Sequence, residues 1–172
     1  MSPLDYETES DALLWLEHET DERDKFDLSN DLRLASAGDV AALSRLHEGF
    51  GAPIAFGTAG LRARMMYGPS GMNVTNVRDF SQAVATVVEK DRSSTDVQRV
   101  VVGYDGRHKS LEFAQAAASV FASRGMDVLL FPRPAPTPVL AFYVRHLEAA
   151  AGVMITASHN PPNDNGYKLY MS

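Results

Sequence analysis

Three short apolar runs constrain this chain more than anything else in it: VVVGY (Val100–Tyr104), DVLLF (Asp127–Phe131) and AGVMI (Ala151–Ile155). Each is too short for a buried helix and lacks the polar alternation of a half-exposed strand. Runs of this kind are the mark of a strand covered on both faces. The segments between them have helical spacing. Ser110 is placed to cap a helix with the stripe Leu111, Ala114, Ala118 and Phe121, which Gly125 stops. PRPAPTP, from Pro132 to Pro138, is too rich in proline for a helix or a central strand and reads as a stiff connector. Val139, Phe142, Tyr143, His146 and Leu147 then mark another core helix. Strand, helix, strand, helix, strand predicts βαβ units, an α/β layer fold and an at least partly parallel sheet. Ligands on such sheets bind beyond the carboxyl ends of the strands. Two of those ends are rich in polar groups: DGRHK (Asp105–Lys109) and TASHN (Thr156–Asn160).

The rest of the chain divides by composition. Residues 1–50 read as an acidic helical N-terminal extension and residues 51–172 as the main domain. In the extension, Ser10 or Asp11 is expected to cap a helix carrying Leu13, Leu14, Trp15 and Leu16, and Asp39–Leu46 forms a second one, ended by Gly49 and Gly51. Val74, Val77, Phe80, Val84, Val87 and Val88 predict a helix over Asn73–Lys90, followed by a polar loop over Asp91–Asp96. GYKLYM, from Gly166 to Met171, has β-type residues and needs a pairing neighbour.

The formal net charge of −6 argues against nucleic acid, because nothing would neutralise a phosphate backbone over a broad face. It leaves small anionic ligands open, since they need only a few local cations. There is no cysteine, which excludes disulfides and thiolate metal sites. The acidic start, MSPLDYETESD, has no secretory-signal pattern. No apolar run approaches the roughly 18 residues of a membrane span. A cytoplasmic protein is expected.

Ser158 lies where the last apolar run gives way to a turn of Asn, Asp, Pro and Gly. A loop serine ordinarily satisfies backbone amides. Here Pro161 and Pro162 fix their own φ and restrict the residues before them, so the loop is held in shape, as suits an oxygen that must be presented accurately. No G-x-S-x-G surrounds it, which disfavours a hydrolase elbow. A phosphoryl group is the more natural partner, and cations are at hand to serve one. FGTAGLRAR supplies glycines for close approach and then Arg62 and Arg64, and Arg107, His108 and Lys109 follow another strand. It is not a Walker A loop. Asn163–Gly166 is read as a turn. His18, His47 and His146 lie in or beside helices and carry no assigned role.

Taken together, these residues resemble a family. TASHNP (Thr156–Pro161) followed by NGYK (Asn165–Lys168) resembles the phosphoserine loop of the α-D-phosphohexomutases. FGTAGLR (Phe56–Arg62) is similar to their N-terminal signature, and GYDGR (Gly103–Arg107) to their intervening strand-turn motif. The resemblance covers roughly residues 45–172 and is strongest to the phosphoglucomutase-2/phosphopentomutase branch. It implies a three-layer α/β/α sandwich with a mixed, mostly parallel sheet. It also implies transfer of a phosphoryl group within glucose, ribose or deoxyribose phosphates through a bisphosphate intermediate.

By position, the resemblance makes Ser158 the phosphorylated serine, with a phosphate oxygen as one ligand of Mg²⁺. His159 and Lys168 match positions of proton transfer and phosphate contact, and Arg62, Arg107 and Thr58 match substrate- or phosphate-binding positions. A sugar bisphosphate activator, small phosphosugars and the remaining mutase domains are the implied partners, with no nucleic acid and no membrane. No D-x-D-x-D arrangement occurs, so the Asp ligands of the metal are expected outside this chain. The chain therefore reads as a first domain, expected to be inactive as a mutase alone. A non-catalytic phosphosugar-binding or interaction module is the alternative.

Overall fold

The computed structural model describes residues 4–58, 60–90 and 98–171; Ala59 and the polar loop expected over Asp91–Asp96 lie outside them. In chain order the elements are α1 (Tyr6–His18), α2 (Glu22–Ser36), α3 (Val40–Gly49), β1 (Leu61–Arg64), α4 (Val74–Lys90), β2 (Arg99–Tyr104), α5 (Ser110–Ser123), β3 (Asp127–Leu130), α6 (Thr137–His146), β4 (Ala151–Ile155) and β5 (Asp164–Met171).

The strand order is β1-β5-β4-β2-β3. β2 pairs in parallel with both β4 and β3, while β5 pairs antiparallel with both β4 and β1. Four strands thus run one way and β5 runs the other, giving the mixed, mostly parallel sheet that was expected.

Side chains alternate across a strand, and this splits β2 and β4 between two cores. Val100, Val102, Val153 and Ile155 join Val77, Val84, Phe113 and Phe121 of α4 and α5 on one face. Val101 and Met154 meet Leu140 and Val144 of α6 on the other. The result is three layers. A Cβ on Gly152 would lie 2.3 Å from Val144 Cγ2, so the missing side chain is what lets α6 sit this close to the sheet.

The three N-terminal helices have their own core of Ala12, Leu28, Leu32, Ala35, Ala42 and Leu46, closed by Tyr67. Each helix starts on an aspartate. Asp5, Asp21 and Asp39 accept from backbone amides two or three residues on, satisfying the free N–H groups of a first turn. The cap of α1 is therefore Asp5, not Ser10 or Asp11. α2 was not foreseen.

Several helix and strand faces differ from the sequence reading. α5 begins at Ser110, but its cap position is Lys109, with φ 57° and no side-chain cap bond; the Ser110 hydroxyl instead donates to Asp105 Oδ1 at 2.8 Å. Leu111 points outward, and Phe113, Ala117 and Val120 are buried. On α6 the buried pair is Leu140 and Val144, and Phe142 is 59% exposed. β3 is an edge strand, half-exposed rather than buried. β5 begins at Asp164 and lies between β1 and β4, so Asn165 and Gly166 belong to an interior strand and not to a turn.

Candidate functional site

β2 and β4 are parallel neighbours that end in register, Tyr104 opposite Ile155. The loops that follow them leave the same end of the sheet side by side, and the Asp105 amide donates to Ile155 O at 3.1 Å. This is why two motifs far apart in sequence become one structure.

Ser158 sits at the bend with φ 56°. The left-handed region is uncommon for a residue other than Gly, Asn or Asp, and holding one there costs on the order of 1–3 kcal/mol. Surrounding bonds impose it. The Ser158 amide donates to Thr156 Oγ1 at 3.0 Å, and the Asn160 amide to Ala157 O at 3.1 Å. Ser158 is half-buried and His159 is exposed.

Arg107 reaches across from the neighbouring loop. Its Nη2 donates to Ser158 O at 2.7 Å and Asn160 O at 2.9 Å, and its Nη1 to Pro161 O at 2.8 Å and Asp164 O at 3.2 Å. Its Nε faces Asp105 Oδ2 at 3.3 Å. Asp105 Oδ1 in turn accepts from the Arg107 amide and the Ser110 hydroxyl. Buried Asn165 donates to His108 O and Ser110 Oγ, both at 3.0 Å, tying β5 to the same loop. Lys109 turns the other way and pairs with Asp24 of α2 at 3.4 Å. Of the basic residues Arg107 and Lys109, Arg107 is the one bonded to the serine loop.

Arg62 and Lys168 meet through strand register. Arg62 of β1 lies opposite Gly166 of β5, so Lys168, two residues on, shares its face of the sheet as a diagonal neighbour. The Arg62 Nη1 donates to Asn160 Oδ1 at 3.2 Å, and its Nε is buried with no hydrogen-bond partner. Burial, then the nearby Arg62 guanidinium, pulls the Lys168 ammonium below its ordinary range, while Asp105 acts in the opposite sense. Both side chains, with Phe56, Gly57 and exposed Thr58, line a cleft of about 330 Å³. Phe56 also packs edge to face with Phe80 and Tyr167, and the buried Tyr167 hydroxyl pairs with Ser81 at 3.1 Å.

The structure thus draws the six candidate residues into two linked groups. Ser158, His159 and Arg107 form the serine loop and its clamp. Arg62, Lys168 and Thr58 form the cleft, joined to the loop through Asn160. Residue type alone assigns no role to Asp105, Asn160 or Asn165; Asn165 stands in an Asn-Gly pair that reads locally as a turn.

A larger cleft of about 480 Å³ lies against α2, where Asp31 is paired with Arg45 and Tyr67, Arg64 with Glu48, and Lys109 with Asp24. Among the described residues no group of three or more His, Cys, Asp or Glu is placed to hold a metal ion. The side chains present do not by themselves fit a magnesium site.

Fold and loop arrangement together define an N-terminal α/β/α domain of the α-D-phosphohexomutase class. Residues 53–172 match the family model "Phosphoglucomutase/phosphomannomutase, alpha/beta/alpha domain I", and the chain belongs to that family. It is 42% identical over 144 residues to the phosphopentomutase of Homo sapiens, covering 80% of this chain and 23% of that protein. It is 38% identical over 141 residues to the phosphoglucomutase of Staphylococcus haemolyticus, covering 82% of this chain and 25% of that protein. Among solved structures, the putative phosphomannomutase of Thermus thermophilus superposes with a TM-score of 0.62 at 38% identity, over 70% of this chain and 26% of that one. The chain spans about a quarter of the length of the relatives it matches. No helix among the described residues is long and apolar enough to cross a membrane.

Proposed function

We propose that this chain is the serine-bearing domain of a phosphosugar mutase, and that Ser158 carries the transferable phosphoryl group. The observation that supports the reading most is the left-handed Ser158 at the end of β4, clamped by Arg107 and linked through Asn160 to Arg62 beside Lys168. Phosphoryl transfer asks a protein mainly for positioning and for cations around spreading negative charge. In the proposed step Ser158 Oγ attacks one phosphorus of a sugar bisphosphate. The Oγ–P bond forms as the bond from phosphorus to the sugar oxygen breaks, and the Oγ proton passes by way of Lys168 or His159 to the departing sugar oxygen. The lowered affinity of Lys168 for its proton suits that relay. Arg62, with Thr58, receives the phosphate of the sugar. Magnesium and the further mutase domains belong to the same proposal, with the metal's carboxylates supplied from outside the described residues. So does a cytoplasmic setting, in keeping with the absence of cysteine.

The test is a titration of the chain with ribose 5-phosphate and glucose 6-phosphate. Arg62→Ala and Lys168→Ala are each expected to weaken binding about tenfold or more, the effect of one charge-assisted hydrogen bond. Lys168 binds an anion as its ammonium, and its proton is held less tightly than usual. Affinity is therefore expected to fall as pH rises through a value below the ordinary lysine range, and Lys168→Ala to flatten that fall. Unchanged affinity in both variants, or no binding by the native chain, overturns the proposal.

A further inference from the structure

Resting on that reading, we infer that Arg107 is a positioning residue, which shapes the serine loop from behind and makes no contact with a phosphoryl group. A guanidinium has five N–H donors in a rigid fork. Here the four on Nη1 and Nη2 meet four carbonyl oxygens of one loop, those of Ser158, Asn160, Pro161 and Asp164. The guanidinium also forms an ion pair with Asp105, Nε to Oδ2 at 3.3 Å. All four Nη donors are taken by the loop, Nε lies against the Asp105 carboxylate, and the Arg107 side chain is only 16% exposed.

The arrangement explains how the loop tolerates its own geometry. Several carbonyl dipoles converge with their negative ends together, and Ser158 holds a backbone conformation its type seldom adopts. Neither would persist without a cation at the centre. Arg107 is held ready by Asp105, which accepts from the Arg107 amide at 3.0 Å, and by the Ser110 and Asn165 network behind it. Lysine cannot substitute: a single ammonium has three donors and cannot span four acceptors. The phosphate-binding role expected of Arg107 from its sequence position therefore passes to Arg62, whose buried Nε has no partner, and to Lys168.

Two measurements on the chain test this. The first is side-chain NMR of the arginines in the native protein, before and during titration with inorganic phosphate. Without phosphate, the Arg107 Nη–H signals are expected to be resolved and protected from exchange. On titration they stay in place, while the Arg62 signals move. The second is hydrogen exchange of peptides covering residues 157–164 in Arg107→Lys and Arg107→Ala, with melting temperature as the control for folding. Both variants are expected to raise loop exchange roughly tenfold or more, and lysine is expected to rescue little of it. Three results overturn the inference: averaged, unprotected Arg107 signals without phosphate, Arg107 signals that follow phosphate more than those of Arg62, or Arg107→Lys with native loop protection. Failure of the phosphosugar reading looks different, since Arg62 and Lys168 would then ignore phosphate while the Arg107 signals remained protected.

Discussion

Gly166→Ala is expected to lower the melting temperature of this chain by roughly 10 °C, the result of about 3–5 kcal/mol spread over a domain of this size. Gly166 sits in β5 with a strand on either side. A Cβ there would lie 2.5 Å from Leu61 O and 2.7 Å from Thr156 O, both backbone atoms, and 3.1 Å from Arg62 Cγ. A flexible side chain could swing away; a ladder carbonyl cannot move without parting the strands. Relief on one side displaces Arg62, and on the other it displaces Thr156, whose hydroxyl accepts from the Ser158 amide. The substitution should therefore cost phosphosugar affinity as well as stability. Gly106→Ala is the control, because a Cβ there meets nothing within 4 Å. It is expected to stay within about 0.5 kcal/mol of the native protein. Thermal unfolding of the pair checks both statements.

Glu19→Ala is expected to cost about 3–5 kcal/mol, because four donors lose the carboxylate they share. Glu19 is 3% exposed at the junction of α1 and α2. Its Oε2 accepts from the Trp15 indole at 2.9 Å, and its Oε1 accepts from the Thr20 and Asp21 amides and from the Thr75 hydroxyl at 2.8, 2.9 and 3.0 Å. The Thr75 bond crosses from the N-terminal helices to α4. Truncation leaves these part-buried donors without their acceptor and unlatches the N-terminal helices from α4. Glu19→Gln keeps the shape but turns a donor toward donors, so it should recover only part of the loss. Denaturant unfolding gives the stability. Hydrogen exchange should show α1 and α2 loosening before the sheet does. A cost below about 1 kcal/mol for the alanine variant would contradict this role for Glu19.

What could be read from the residues beforehand follows from where the information lay. β4 stands where AGVMI put it, because a strand buried on both faces needs a continuous apolar run. α4 follows from its valine spacing. α2 escaped because its fifteen residues carry a single narrow stripe, Leu28, Leu32 and Ala35, within a charged surface. The α6 face was misread because Phe142, Tyr143 and His146 outweigh Leu140 and Val144 in bulk. Packing over Gly152 instead favours the aliphatic pair, and the exposed Phe142 meets Tyr143 edge to face and stacks on His146. At the site, the serine loop reads from its prolines and turn residues, while the roles of Arg62 and Lys168 follow from the family resemblance. The hydrogen bonds of Arg107, and Asn165 as a buried strut, depend on parallel pairing of β2 with β4 and on β5 entering between β4 and β1. Those are tertiary facts that no local stretch carries.

The most direct measurement is to expose the chain to glucose 1,6-bisphosphate or ribose 1,5-bisphosphate and locate any transferred phosphoryl group by fragmenting its peptides. A single phosphoryl group on Ser158, absent in Ser158→Ala, is the predicted result. Phosphosugar bound with Ser158 left unmodified, or a phosphoryl group on a different residue, would contradict it.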